Sequence, residues 1–149
     1  MLIGEGIQKS SRIKKMIQEL VAEVRTTCSQ VTHSKNSDPD LEVSYKNLVE
    51  DFGRYRGREL FYPYIGTGAG RGPYVELRDG SVKMDLINGI GIHLMGHSHP
   101  DVIEAALWGS LSDVTIQGNL QPNVEYGEIS RKLVEIAGRK SRLKHAWVT

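Results

Sequence analysis

The five residues Gly96-His97-Ser98-His99-Pro100 set two imidazoles and a hydroxyl side by side at the entrance to an apolar, helix-like pattern. The order is close to the nucleophile elbow G-x-S-x-G, in which a sharp strand-to-helix turn exposes a serine for acyl transfer. Residues 90–95 read as the strand before such a turn, and Asp113 and His145 follow in the chain order of that triad. Pro100, however, stands where the last glycine of an elbow lets helix and strand close up, and the remaining chain is short for an α/β-hydrolase sheet. A serine hydrolase using Ser98 is therefore kept as an alternative only. His93, His97 and His99 also invite a zinc reading, and the spacing lets His97 and His99 share one side of a strand. No Asp, Glu or Cys sits beside them in the usual ligand positions, so the expectation is a capping or hydrogen-bonding role and no metal.

A phosphate-cradling loop is suggested by Gly66-Thr67-Gly68-Ala69-Gly70-Arg71-Gly72. A dinucleotide fingerprint needs a glycine three places after its second glycine, but Gly68 leads to Arg71 and Gly70 leads to Pro73. The chain has no Gly-Lys pair for a P-loop, and no helical pattern follows the run to offer its N-terminus to a phosphate. The run is expected to be an irregular loop entering a hairpin. Arg54, Arg56 and Arg58, and the stretch Arg131, Lys132, Arg139, Lys140, Arg142 and Lys144, read as solvated helix ends that complement the helix dipole.

Composition agrees with these exclusions. Nineteen Lys and Arg oppose eighteen Asp and Glu, which argues against an overall electrostatic nucleic-acid binder. The single cysteine, Cys28, excludes an intramolecular disulfide framework and a Cys-rich zinc module. No apolar run reaches the length of a membrane span, and Lys9, Arg12, Lys14, Lys15 and Arg25 interrupt the region where a signal peptide would be apolar. A cytoplasmic protein of one ordinary domain is the expectation for 149 residues.

The elements that must position the candidate residues form an α+β set. Ile13, Met16, Ile17, Leu20, Val21 and Val24 build one helical stripe, with Ser10 or Ser11 as its cap. Residues 27–40 are polar and predict a loop or linker. A second helix is predicted over 41–54, behind Asp38 and Pro39. Residues 73–77 and 82–87 predict an antiparallel hairpin around Arg78-Asp79-Gly80-Ser81, because Asp-Gly supplies the positive φ angles of such turns. Further helices are predicted over about 100–112 and 124–137, with Gly138 as the stop of the last, and residues 143–149 read as the start of a strand.

Taken in order, several of these pieces resemble one family. Gly70-Arg71-Gly72-Pro73-Tyr74-Val75-Glu76-Leu77-Arg78-Asp79-Gly80 is similar to the glycine-led strand and Asp-Gly turn near the start of class III pyridoxal-phosphate aminotransferases of the acetylornithine and ornithine type. Met84-Asp85-Leu86-Ile87-Asn88-Gly89-Ile90-Gly91 resembles the strand and Gly-Ile-Gly turn that follow, although Met84 and Leu86 stand where aromatics are common. Gly96-His97-Ser98-His99-Pro100 matches the Gly-His-x-His-Pro helix entry of that family. The resemblance spans roughly residues 61–149; residues 1–60 match no motif and exceed the usual lead-in.

The resemblance implies a division into a helical N-terminal extension (1–60, with the polar loop 27–40), the N-terminal part of the small domain (61–142) and the first strand of a large domain (143–149) of a fold-type I enzyme. It implies a small three-stranded sheet lining a substrate channel at a homodimer interface. Gly89, Ile90 and Gly91 would lie beside the substrate, with Tyr62 (or Phe61) at its distal end or packed structurally. Gln117, Gly118 and Asn119 would lie near the neighbouring subunit's site. The parent reaction would pass an amino group from an amine or amino acid to a keto acid on pyridoxal phosphate. The Schiff-base lysine, the pyridinium carboxylate and the phosphate helix of the family fall beyond the point matching Thr149. The chain is thus expected to be an N-terminal fragment, inactive alone, with no catalytic residue and no covalently bound cofactor. The rival from another class is a non-catalytic interaction module using the stripe from Ile13 to Val24; because that stripe has no large domain to cover it, the chain is expected to form a homo-oligomer.

Overall fold

The computed structural model describes residues 2–112 and 123–147. They fall in two compact units, Met1–Gly109 and Ser110–Thr149, described separately below.

The first unit opens with a short helix α1 (Ile3–Gln8), which the sequence pattern did not mark, followed by α2 (Ser11–Cys28). Ser10 caps α2 by accepting a hydrogen bond from the Ile13 N–H at 3.3 Å. Ile17, Val21 and Cys28 are the buried members of its stripe, and the helix packs on the first strand. Met16 and Leu20 on the same helix stay about half exposed.

The polar segment after Cys28 is a loop, as its composition predicts, but it does not float. Lys35 and Val82 exchange both backbone hydrogen bonds at 3.0 Å, and the Asp38 N–H donates to the Asp79 carbonyl at 2.8 Å. The reason is the sheet edge beside it, whose unpaired backbone groups take a partner from the nearest extended segment. Asp38 and Pro39 then start a single 3₁₀ turn (Pro39–Leu41) that leads into α3 (Glu42–Arg56), and Gly57 at φ 72° ends it. From α3, the Tyr45 hydroxyl donates to the Pro63 carbonyl and accepts from the Ile65 N–H, which fixes the chain entering the sheet.

The sheet runs in the order β1 (Gly66–Arg71), β2 (Tyr74–Leu77), β3 (Val82–Met84), all antiparallel. The α+β class and the Asp79-Gly80 hairpin match expectation, with Gly80 at φ 76° and Asp79 accepting from the Ser81 N–H at 2.9 Å. Three local expectations are corrected. The glycine run is a strand, not an irregular loop, because β2 offers a complete ladder; glycine's low strand preference shows only as the irregular register between Gly66 and Gly70. The return strand stops at Met84 because Asp85 begins a turn, and residues 90–95 form turns instead of a strand. The core of this unit comprises Ile17, Val21, Cys28, Val31, Leu77 and Val82, and α4 (Pro100–Ser110) closes it in sequence.

In the second unit, α5 (Val124–Gly138) is capped by Asn123, whose side chain accepts from the Tyr126 N–H at 2.9 Å. Arg131 bridges Glu128 and Glu135 along its outer face. Ile129, Leu133 and Ile136 lie on the expected stripe, yet none of the described residues of this unit is a buried apolar one. Residues 142–147 carry neither helix nor strand, since a strand there requires a neighbour to pair with.

Candidate functional site

Asp85 organises the segment between the sheet and α4. Its Oδ1 accepts from the N–H groups of Ile87 (3.0 Å) and Asn88 (2.8 Å), and its Oδ2 from the Gly89 N–H (3.1 Å). The His97 Nε2 reaches the same Oδ2 at 2.8 Å. An Asp followed closely by Asn-Gly is a local turn signal, because a short carboxylate can bond the amides just after it. The distant partner, His97, has no such signal.

Asn88, Gly89, Ile90 and Gly91 follow with φ of 57°, 56°, 57° and 89°, a run in the left-handed region. Glycine adopts it freely and asparagine tolerates it, but a β-branched isoleucine is strained there. Ile90 gains nothing from packing in return, being 90% exposed. The His93 N–H donates to the Asn88 carbonyl at 3.2 Å, and the His93 ring lies 4.0 Å, centroid to centroid, from that of His97. Apolar residues on both sides of the turn are also open to solvent: Leu86 is 86% exposed, and Ile92 and Leu94 are each 81% exposed.

His97 is itself held by the sheet. Its N–H donates to the Gly72 carbonyl at 2.8 Å, and the Gly72 N–H returns a bond to its carbonyl at 3.3 Å. His99 takes the capping role expected for this histidine, since its Nδ1 accepts from the Asp101 N–H at 3.3 Å at the start of α4. Among the described residues no group of three or more His, Cys, Asp or Glu could hold a metal. The Ser98 hydroxyl lies 3.6 Å from the buried Cys28 sulfur and meets no histidine among the described residues; the strand an elbow needs before it is a set of turns.

A groove of about 640 Å³ runs along the same end of the sheet, lined by Lys35, Tyr64, Lys83, Met84, Leu86 and Ile87 among others. Gly89, Ile90 and Gly91 thus stand together in one turn, while Tyr62 and Ile90 lie outside the groove lining. Tyr62 is exposed, set edge-on to Phe61 at 4.9 Å and parallel to Tyr64 at 6.4 Å. Gln117, Gly118 and Asn119 lie outside the described residues.

The His97 imidazole, with the Asn88 and Ile87 amides, holds the Asp85 carboxyl below its ordinary 3.8, against an upward push from desolvation. A carboxylate with a depressed folded pKa contributes its stability above the unfolded value and loses it as pH falls through the folded one. The turn should therefore stay ordered at pH 4 and open only in stronger acid. Amide exchange at Ile87 and Asn88 measured from pH 5 to pH 2 checks this; opening already above pH 4 contradicts it.

The acetylornithine aminotransferase of Corynebacterium efficiens is 34% identical over 73 residues, covering 49% of this chain and 18% of the relative. That of Mycobacterium bovis is 32% identical over 82 residues, 55% of this chain and 20% of the relative. This chain is similar to acetylornithine aminotransferases over about half its length. It spans about a fifth of the length of these curated aminotransferases. No family model and no solved structure matches it. Among the described residues no helix is long and apolar enough to cross a membrane.

Proposed function

We propose that this chain is the N-terminal part of a class III, pyridoxal-phosphate-dependent aminotransferase that passes an amino group from an amine or amino acid to a keto acid. Its share of the work is to shape the substrate channel with the turn of Gly89, Ile90 and Gly91. The observation that carries the reading is Ile90: a strained left-handed backbone bearing an almost wholly exposed β-branched side chain. Strain that the fold does not need is most simply kept for a ligand. The similarity to acetylornithine aminotransferases supports the same reading. The exposed apolar side chains of Leu86, Ile92 and Leu94 suit an assembly that covers them, such as the homodimer of the family.

In this reading the chain supplies only part of a pyridoxal-phosphate site. The cofactor needs a carboxylate on its pyridinium nitrogen. Asp85, the carboxylate nearest the turn, already accepts from three amides and His97, which fills its lone-pair sites. No step through the cofactor is therefore assigned to this chain, and alone it is inactive in this reading. The α2 stripe of the rival interaction module is partly spent against β1, with Ile17 and Val21 buried.

The test is a chimera in which residues 61–149 replace the matching segment of the Corynebacterium efficiens acetylornithine aminotransferase. It should bind pyridoxal phosphate and transfer amino groups, while the isolated chain does neither. A folded chimera that binds the cofactor but shows no transfer to any keto acid would sink the proposal.

A further inference from the structure

The left-handed run 88–91 is held in part by its own backbone, through the N–H groups of Ile90, Ile92 and His93, which reach the carbonyls of Ile87, Gly89 and Asn88 at 3.1–3.4 Å. Its conformation costs Ile90 most, and that side chain is 90% exposed. What adds to these bonds is a pair of residues on either side of it. From the N-terminal side, Asp85 draws the N–H groups of Ile87, Asn88 and Gly89 toward one carboxylate, which forces the backbone to curl around it. From the C-terminal side, His97 meets that carboxylate at 2.8 Å while its own backbone is paired with Gly72. Its β-carbon also sits directly over Gly70, leaving no room there for a side chain. Asp85 is thereby tied to the end of β1 through an imidazole whose position the sheet fixes.

We propose that Asp85 and His97 are a positioning pair that locks the Ile90 turn in its left-handed form. The pair acts through the backbone and not on a substrate. An ionised carboxylate only accepts, so His97 must carry its proton on Nε2. Asp85 spends Oδ1 on Ile87 and Asn88 and Oδ2 on Gly89 and His97, so the two oxygens have separate duties. That the turn faces an amino donor rests on the aminotransferase reading; that the pair holds the turn does not.

Nuclear magnetic resonance on the 149-residue chain tests the pair directly. In the wild type the ¹⁵N shifts of the His97 ring should show the Nε2–H tautomer. Asp85→Asn keeps one oxygen for Ile87 and Asn88 but puts an NH₂ group where Gly89 and His97 donated. It should therefore switch His97 to the Nδ1–H tautomer and speed Gly89 amide exchange about tenfold, with Ile87 and Asn88 changed less. The tautomer reports the direct hydrogen bond between the two side chains, and Gly89 exchange reports what that bond does for the turn. His97→Ala should also speed Gly89 exchange about tenfold, and His97→Gln, which keeps an N–H donor, should restore most of the protection. Amides of β1 and β2 report whether each variant remains folded. If one variant unfolds the sheet as well, the wild-type tautomer and the remaining variants decide. An Nδ1–H tautomer in the wild type, or equal Gly89 exchange in wild type, His97→Ala and Asp85→Asn, overturns the proposal. Loss of activity in the chimera would not touch these readings, and loss of protection here would not touch the activity.

Discussion

Gly96→Ala should lower the stability of the first unit by about 3 kcal/mol or more. Two costs combine. Gly96 has φ 89°, where a side chain strains the backbone, and a β-carbon there would stand 2.9 Å from the Gly72 α-carbon. Gly72 cannot retreat, because its N–H and carbonyl are both paired with His97. The two costs can be separated with neighbours in the sheet. Gly68 has φ 94° but open space around it, so Gly68→Ala should carry the backbone cost alone, about 1–2 kcal/mol. Gly70 has an ordinary φ, but its β-carbon would lie 2.7 Å from the His97 β-carbon and 2.8 Å from the Tyr74 carbonyl oxygen. Gly70→Ala should therefore carry the packing cost alone, about 1–3 kcal/mol. Urea unfolding followed by circular dichroism gives the order: Gly96→Ala lowest in midpoint, by more than about 1 M, and Gly68→Ala nearest the wild type. The unit's small apolar core leaves little reserve, so losses of this size matter. A Gly96→Ala midpoint equal to that of Gly68→Ala would mean that the 72–97 pairing does not confine this glycine.

These same contacts mark the limit of what the sequence reveals. Local rules found the local features: the stripe of α2, the Asp-Gly hairpin, the helix starts at Pro39 and Pro100, and the capping role of His99. Each depends on residues within a turn or two of one another. Apart from α1 and the turn at Asp85, the features that failed to show were set by a distant partner. Nothing in the glycine run from Gly66 to Gly72 favours a strand; β2 makes it one by offering a ladder. Nothing in the polar loop says that Lys35 will pair with Val82. In the site, the Gly-Ile-Gly turn was expected from the family resemblance, whereas the residue pattern alone placed strands over 82–87 and 90–95 and passed over the turn signal in the Asp85–Asn88–Gly89 spacing. The link from Asp85 to His97 was not legible, because twelve positions separate them and only the folded sheet brings the imidazole to the carboxylate. Likewise, nothing short of coordinates reveals that Ile90 is strained, since isoleucine is among the residues least expected at positive φ.

Ile90→Gly should have effects of opposite sign on stability and on activity. The side chain is 90% exposed in this chain, so removing it forfeits almost no burial. The left-handed backbone at φ 57° is one that glycine adopts without the steric cost isoleucine carries. The isolated chain should gain about 1 kcal/mol, read as a melting temperature higher by a few degrees. In the chimera with the Corynebacterium efficiens enzyme, the proposed contact between this side chain and the amino donor would be lost. Removing an alkyl contact from a substrate pocket costs about 1–3 kcal/mol, so kcat/KM should fall at least about tenfold. A purely structural isoleucine predicts the reverse pattern, lower stability with activity following it down. Ile90→Val separates the terms further. It keeps the β-branched strain but shortens the side chain by one methylene, so stability should stay level while kcat/KM falls by a smaller factor. Should Ile90→Gly destabilise the isolated chain, the side chain has a contact within the fold and the strain argument fails. Should it stabilise the chain yet leave kcat/KM unchanged, the turn is strained for some reason other than the substrate, and the channel role proposed for Ile90 is wrong.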